Sequence, residues 1–349
     1  MLAKPSSSPE NQDFEPYNFF GFGLNDFEKP HLQIQIGCAL SNPMQSGKTT
    51  DNNSEDSRSS KDLSRREMEF VRACSEVQDV CANEARTLCY YPPYLSKTTL
   101  PISQTIDLTF SRMNGDLRLT LIANPDSGLP YGIVARKIIT YLTTYAIINK
   151  TPVVPVKSMR ALCKGLGMST GGSKHKVIDD MLYRLIGATM FIELKVKKDD
   201  EDININRCGI LDSIRIEKGG DETNHVTLDD KFYQLCEKSA APLDSRVLEA
   251  LSGALEFDVY VFLLARLLSV RQTTRIRWDD FMAQFGSNNK NSASAKQKLK
   301  KAVDKILTIQ PQMKVRYTND LVILEPSISP IKTRKGAYII PNTPKDNDD

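Results

Sequence analysis

One order of segments occurs twice in this chain of 349 residues, and few folds accommodate it. In the first occurrence, residues 131–149 carry helical periodicity, with Val134, Ile138, Tyr141, Leu142, Tyr145 and Ile148 on the expected buried side. Pro152 and Pro155 stop that helix. A short helix over Ser158 to Leu166 follows, then a turn rich in Gly and Ser over 167–173, then a helix from Lys174 to about Gly187. The apolar pairs Val177/Ile178, Met181/Leu182 and Leu185/Ile186 recur every four residues in it, which predicts one core face. A strand comes next, with Ile192, Leu194 and Val196 on one face and Glu193, Lys195 and Lys197 on the other. The acidic run at 199–202 is expected to be a solvated tip, with a second strand at 210–216.

The second occurrence begins with a short helix, Asp244 to Ser252, and a long apolar one, Phe257 to Leu268. A short strand, Arg275 to Trp278, leads to a helix over Asp279 to Phe285 with Asp279 as its expected N-cap. After a turn at 286–291, Ser294 and Gln297 have capping-box spacing at the head of a basic helix. Leu299, Ala302, Val303, Ile306 and Leu307 are expected to be buried in it, leaving Lys296, Lys298, Lys300, Lys301 and Lys305 elsewhere on its surface. Met313 to Tyr317 and Leu321 to Leu324 alternate around Thr318-Asn319-Asp320 as a hairpin. Helix, helix, turn, helix and hairpin is the order of a winged helix-turn-helix. The expected fold is therefore α+β, with tandem winged helix-turn-helix domains and a disordered N-terminal region. An additional ribbon is expected over 105–123, turning at Asn114-Gly115.

These segments imply five regions. Residues 1–62, rich in Ser, Asn, Asp and Pro, read as a disordered tail with an aromatic cluster (Phe14, Tyr17, Phe19, Phe20, Phe22) near its front. Residues 63–95 read as a helical linker, with Met68, Val71, Cys74, Val77, Cys81 and Leu88 near one stripe. Winged-helix domains are expected over 96–235 and 236–330, and a disordered tail over 331–349.

Charge is segregated along the chain. Residues 131–198 hold 12 basic against 3 acidic side chains, residues 199–270 hold 7 against 15, and residues 271–316 hold 11 against 3. Two basic blocks thus flank an acidic one although the formal net charge is only +3. Clustered Lys and Arg attract phosphate whatever the global balance, and an α-helix about 10–12 Å across suits a major groove about 12 Å wide. Double-stranded DNA is the expected partner. Arg184, Lys176 and Lys298 are the expected contacts to base edges.

Other chemistries find little support. The seven cysteines are odd in number and form no CxxC pair, which excludes a disulfide scaffold or a zinc ribbon and fits a reducing cytoplasm. His31, His175 and His225 are isolated, so no metal site or metal-dependent nicking centre is expected. Gln45 to Thr49 has part of a phosphate-loop pattern, but Asn42 stands where the motif needs Gly. No nucleophilic triad is evident, so the chain is expected to be no enzyme and to need no cofactor. The longest apolar run, Phe257 to Leu268, contains Asp258 and Arg266, and the N-terminus lacks an apolar signal segment. No membrane association is expected, and the location is expected to be cytoplasmic.

Several short motifs, in order, resemble the RepA C-terminal family of plasmid-encoded replication initiators: Ser127 to Gly132 (SGLPYG), Ala135-Arg136, Thr143 to Ala146, Ser169 to Gly172 before a basic helix, Pro242 to Asp244, Asp258 to Tyr260, and Trp278 to Phe281 with Phe285-Gly286. The resemblance spans about 105–330. It implies a theta-type initiator that binds repeated duplex sites at a plasmid origin, promotes local opening, recruits host replication proteins (initiator and helicase) and can form a homodimer. It implies DNA contacts at Arg136, Lys174, His175, Lys176, Arg184 and Lys195 in the first half and at Lys296, Lys298, Lys300 and Lys301 in the second, with Lys197, Lys290 and Lys305 beside them. The acidic run at 199–202 fits DNA poorly and leaves the first wing's role open between DNA and a protein partner. A winged-helix transcriptional regulator is the alternative.

Overall fold

In a computed structural model, the residues described are 70, 88–195, 203–217, 223–267, 270–285 and 292–327. All belong to one compact unit. The fold is mixed α/β, and one succession of helices and strands occurs twice among the described residues, with the same strand order each time.

The first copy runs α1 (Gly132–Asn149), β4 (Val153–Pro155), α2 (Met159–Gly165), α3 (Gly172–Ile186), β7 (Leu211–Arg215) and β8 (His225–Leu228). Its sheet is antiparallel in the order β4-β8-β7. The second runs α6 (Ala254–Leu267), β10 (Thr274–Arg277), α7 (Trp278–Gln284), α8 (Ser292–Ile309), β11 (Val315–Tyr317) and β12 (Leu321–Leu324), with sheet order β10-β12-β11. In each copy the strand between the first two helices pairs with the last strand.

A second hairpin is inserted between α3 and β7. It is β5 (Ala188–Lys195) with β6 (Ile203–Gly209), and it joins β2 (Thr109–Asn114) and β3 (Leu117–Ala123) in a four-stranded antiparallel sheet, β2-β3-β5-β6. The strand expected at 210–216 as the partner of 192–197 is therefore corrected. The partner is 203–209, and β7 belongs to the other sheet. The acidic run 199–202 falls in sequence between β5 and β6, outside the described residues.

Local chemistry explains most ends and turns. In the β2–β3 hairpin Asn114 pairs with Leu117, so Gly115 and Asp116 form the two-residue loop, and only Gly115 takes a positive φ, of 58°. Helix α1 closes on Lys150, whose left-handed φ of 53° lets its N–H reach the Ala146 carbonyl. Ser158 caps α2 by accepting from the Ala161 N–H at 3.2 Å. Asp229 caps α4 (Asp230–Ser239), and Asp244 caps α5 (Ser245–Ala250), which follows β9 (Ala241–Asp244). β9 pairs with β1 (Leu88–Tyr91), so Leu88, expected on a helical stripe, lies in a strand. The boundary drawn from sequence at 235/236 falls within α4.

Some expected phases shift. In α1 the buried stripe is Ala135, Ile138, Ile139, Leu142 and Ala146, while Ile148 is 61% exposed. In α3, Val177 and Ile186 face solvent. α7 begins at Trp278, so Asp279 sits in its first turn, and α8 begins at Ser292, so Ser294 lies inside the helix.

One core runs through both copies. Helix α6 is buried almost all round, with Phe257, Val259, Tyr260, Val261, Phe262, Leu263 and Leu264 inaccessible or nearly so. Each such side chain stabilises the fold by roughly 1.5–3 kcal/mol. Tyr91 packs edge-on to Phe257 at 5.0 Å, and Phe262 meets Phe281 and Phe285 at 5.7 and 5.6 Å. The buried acid of α6, Asp258, is matched across the seam by Arg136 of α1. Arg136 Nε and Nη2 donate to Asp258 Oδ1 and Oδ2 at 2.7 and 2.6 Å, with the two side chains 0% and 3% exposed.

Candidate nucleic-acid interface

The last helix of each copy carries the candidate interface. The first turn of α3 starts at Gly171-Gly172 and contains no acid. A Cβ built at either glycine would meet nothing within 4 Å, so the backbone at this helix start is open. Lys174 and Lys176 follow at once and are exposed, and neither has a partner among the described residues. The positive end of the helix dipole and two ammonium groups therefore coincide. Further along, the solvent face holds Asp179, Asp180 and Tyr183, the last 63% exposed. Cationic character is confined to the N-terminal third of α3.

Two of the expected contacts in this half are corrected. Arg184 is only 9% exposed. Its Nε donates to Asp180 Oδ2 at 2.8 Å and its Nη1 to the Leu129 carbonyl at 3.3 Å, and its guanidinium lies 5.2 Å from the Tyr131 ring centre. It anchors the loop before α1. Gly128 beneath it has φ +75°, and a Cβ there would come within 2.8 Å of Arg184 Nη1, so that position needs glycine. Arg136 is completely buried and donates also to the carbonyls of Leu100, Pro101 and Gly132. Burial opposes its charge, but the Asp258 carboxylate outweighs that and holds the guanidinium above its ordinary value. Neither arginine can reach a phosphate in this structure. His175 is half-buried, with Nε2 enclosed and unpartnered. Lys195 lies in β5, and Lys197 falls outside the described residues.

The second copy separates its lysines by role. Leu299, Ala302, Val303, Ile306 and Ile309 face the core of α8, while Leu307 is only half-buried. On the opposite side Lys298 and Lys301 are exposed, with no partner among the described residues. Lys296 and Lys300 turn toward the hairpin. Lys296 Nζ lies 5.1 Å from the Trp278 ring centre and donates to the Asn319 carbonyl, and Lys300 Nζ lies 5.6 Å from Trp278 and 5.1 Å from Tyr317. Lys305 pairs with Glu256 at 2.8 Å, and its ammonium lies 5.4 Å from the Phe70 ring centre. Lys290 and the expected turn at 286–291 fall outside the described residues.

Sequence reasoning overlooked a brace around the only tryptophan. Trp278 Nε1 donates to the Thr318 carbonyl at 2.9 Å and its backbone N–H to Asp320 O at 3.2 Å. Tyr317 Oη donates to Asp304 Oδ1 of α8 at 2.7 Å. The β11–β12 turn is thereby tied to both helices. A single Trp at the head of a helix, facing a hairpin with Tyr317, was the available signal.

Among the described residues, no group of three His, Cys, Asp or Glu could hold a metal ion, and no helix is long and apolar enough to cross a membrane. The phosphate-loop-like segment at 45–49 lies outside the described residues.

No family model matches the chain, so membership of the RepA C-terminal family is not shown. No curated protein matches it either. Among solved structures, two crystal structures of domains 2 and 3 of RctB are similar at 10% identity, with TM-scores of 0.43 and 0.40. They cover 66% of this chain and 94% and 96% of theirs. That degree of likeness does not establish a shared fold.

Proposed function

We propose that the chain is a DNA-binding initiator of plasmid replication, built from two winged helix-turn-helix modules that grip one duplex. One observation carries the reading. The same helix–strand–helix–helix–strand–strand succession occurs twice with the same sheet order, and each copy exposes lysines on its last helix, in the first turn or so of α3 and around the middle of α8. The N-terminal residues of a recognition helix are the ones that contact base edges, and Lys174 and Lys176 hold that place in α3. In this reading Lys174 and Lys176 serve the first module, Lys298 and Lys301 the second, and the β7–β8 and β11–β12 hairpins are the wings. The inserted β5–β6 hairpin, with the acidic run in its connection, is then no wing at all. Its acidity no longer conflicts with DNA approach.

The short motifs shared with plasmid initiators favour an origin over a promoter. The protein acts without chemistry of its own and without a cofactor, in the cytoplasm, through host initiator and helicase proteins, and it dimerises when in excess. The test is plasmid maintenance. Deleting the coding region from its replicon should abolish autonomous replication, and supplying the chain in trans should restore it. A replicon that persists without it, with the chain bound only at promoters, would instead identify a transcriptional regulator.

A further inference from the structure

Between the 101–112 segment and the start of α8 lies a groove of about 490 Å³ whose wall includes Arg112 and Lys298. Its size is that of a small-ligand site. Arg112 stacks its guanidinium over Phe110 at 4.4 Å, and its Nε is enclosed with no hydrogen-bond partner. Burial lowers its affinity for a proton, and Asp258 is the acid that opposes this. Both Asp258 oxygens, however, are already taken by Arg136. Two guanidinium groups thus share one carboxylate, leaving surplus positive charge at the seam. Lys298 adds a second cation from α8, and Ser294 and Ala295, in the first turn of that helix, line the same groove. The acid on the rim, Asp107, accepts from Thr105 Oγ1 at 2.7 Å. An enclosed guanidinium N–H without a hydrogen-bond partner is costly, and an anion with several acceptor oxygens would remove the cost.

We propose that this groove is a phosphate-binding site in which Arg112 and Lys298 hold one phosphate group. The phosphate belongs either to the backbone of a bound duplex, in which case the site extends the DNA-binding reading and rests on it, or to a free nucleotide. Full-length protein distinguishes the two. Inorganic phosphate and ATP are titrated calorimetrically without DNA, and a random-sequence duplex is titrated across a salt series. Arg112→Gln is compared with wild type. Ser103→Glu, which puts a carboxylate on the exposed groove wall, gives the same readouts should Arg112→Gln fail to fold. If the source is the duplex, the variants lower the log–log salt slope by about 0.9, the share of one phosphate, and the small anions do not bind. If the source is a free nucleotide, ATP or phosphate binds the wild type, and the variants weaken it about tenfold or more while the duplex slope is unchanged. An unchanged slope together with no binding of either small anion would overturn the site. Should the wild type fail to bind duplex at all, the DNA reading falls, and the small-anion titration still decides the groove.

Discussion

Replacing Asp258 by Asn tests the seam between the two copies. The exchange keeps the side chain's shape but removes the only carboxylate that faces Arg136 among the described residues, a guanidinium with 0% exposure. Two charge-assisted hydrogen bonds of 2.7 and 2.6 Å are lost or weakened, and three backbone carbonyls remain to solvate the cation. Breaking a buried pair from one side costs about 3–5 kcal/mol. Against a total stability of about 5–15 kcal/mol for an ordinary domain, that is a large share. Urea unfolding followed by the single tryptophan and by far-UV circular dichroism should show the unfolding free energy falling by that amount, with a lower midpoint and an unchanged slope. Arg136→Met with Asp258→Leu should lie between wild type and Asp258→Asn. It removes both charges but orphans the carbonyls of Leu100 and Pro101, each at a cost of about 1–3 kcal/mol. A loss below about 1 kcal/mol for Asp258→Asn would refute the claim that this pair is desolvated and holds the copies together.

Lys298→Glu with Lys301→Glu should weaken duplex binding by at least about a hundredfold at low salt while leaving the unfolding midpoint unchanged, because both side chains project from the solvent face of α8; this is read by anisotropy and urea unfolding. Arg184→Gln should instead destabilise the fold by about 1–3 kcal/mol through its lost anchor to Leu129 and Asp180, with little change in DNA affinity once folded protein is counted. Burial depresses Lys97 to about 8. The folded chain therefore holds fewer protons than the unfolded one between that value and the ordinary 10.5, and its contribution makes stability rise with pH from about 8. The thiols of Cys89, Cys208 and Cys236 and the phenols of Tyr91 and Tyr260, all pushed up by burial, oppose the trend near and above their ordinary values of 9.0 and 10.0, so the Lys97 contribution is read as the difference between wild type and Lys97→Met across mildly alkaline pH. Among the described cysteines, Cys208 is pushed up to about 12 by burial, and Cys89 and Cys236 also rise for that reason, so all three should resist a thiol reagent until the chain unfolds.

The helices of both copies and the β11–β12 hairpin were readable from apolar periodicity and from the turn residues Thr318-Asn319-Asp320, whereas β4 and β8 of the first copy were not expected. Strand 203–209 was missed because Ile203 to Gly209 follows an acidic run and includes two asparagines, which read as loop, whereas its partner β5 makes it a strand. Such tertiary rescue is invisible in a local window. Arg136 and Arg184 were placed on the surface because charged residues seldom lie inside. The contrary signs were present: Asp258 stands alone in an apolar run and must find a cation, and Asp180 stands four residues before Arg184 on the same helix. The lysine set was half legible. Helical spacing separates core from surface in α8, but only the packed structure shows that Lys296 and Lys300 lean on Trp278 and Tyr317 while Lys298 and Lys301 stay open.

The central claim is that two lysine-bearing helices, held on one packed core, engage a single duplex. Its most direct measurement is the affinity of the full chain for a fluorescent duplex from its own replicon between 50 and 200 mM salt. With ~6–10 phosphates neutralised, affinity should fall by ~10³–10⁵-fold across that range, and substituting lysines in α3 or in α8 should each flatten the dependence. A dependence as shallow as that of one or two contacts, or one that responds to substitutions in only one of the two helices, would contradict the account.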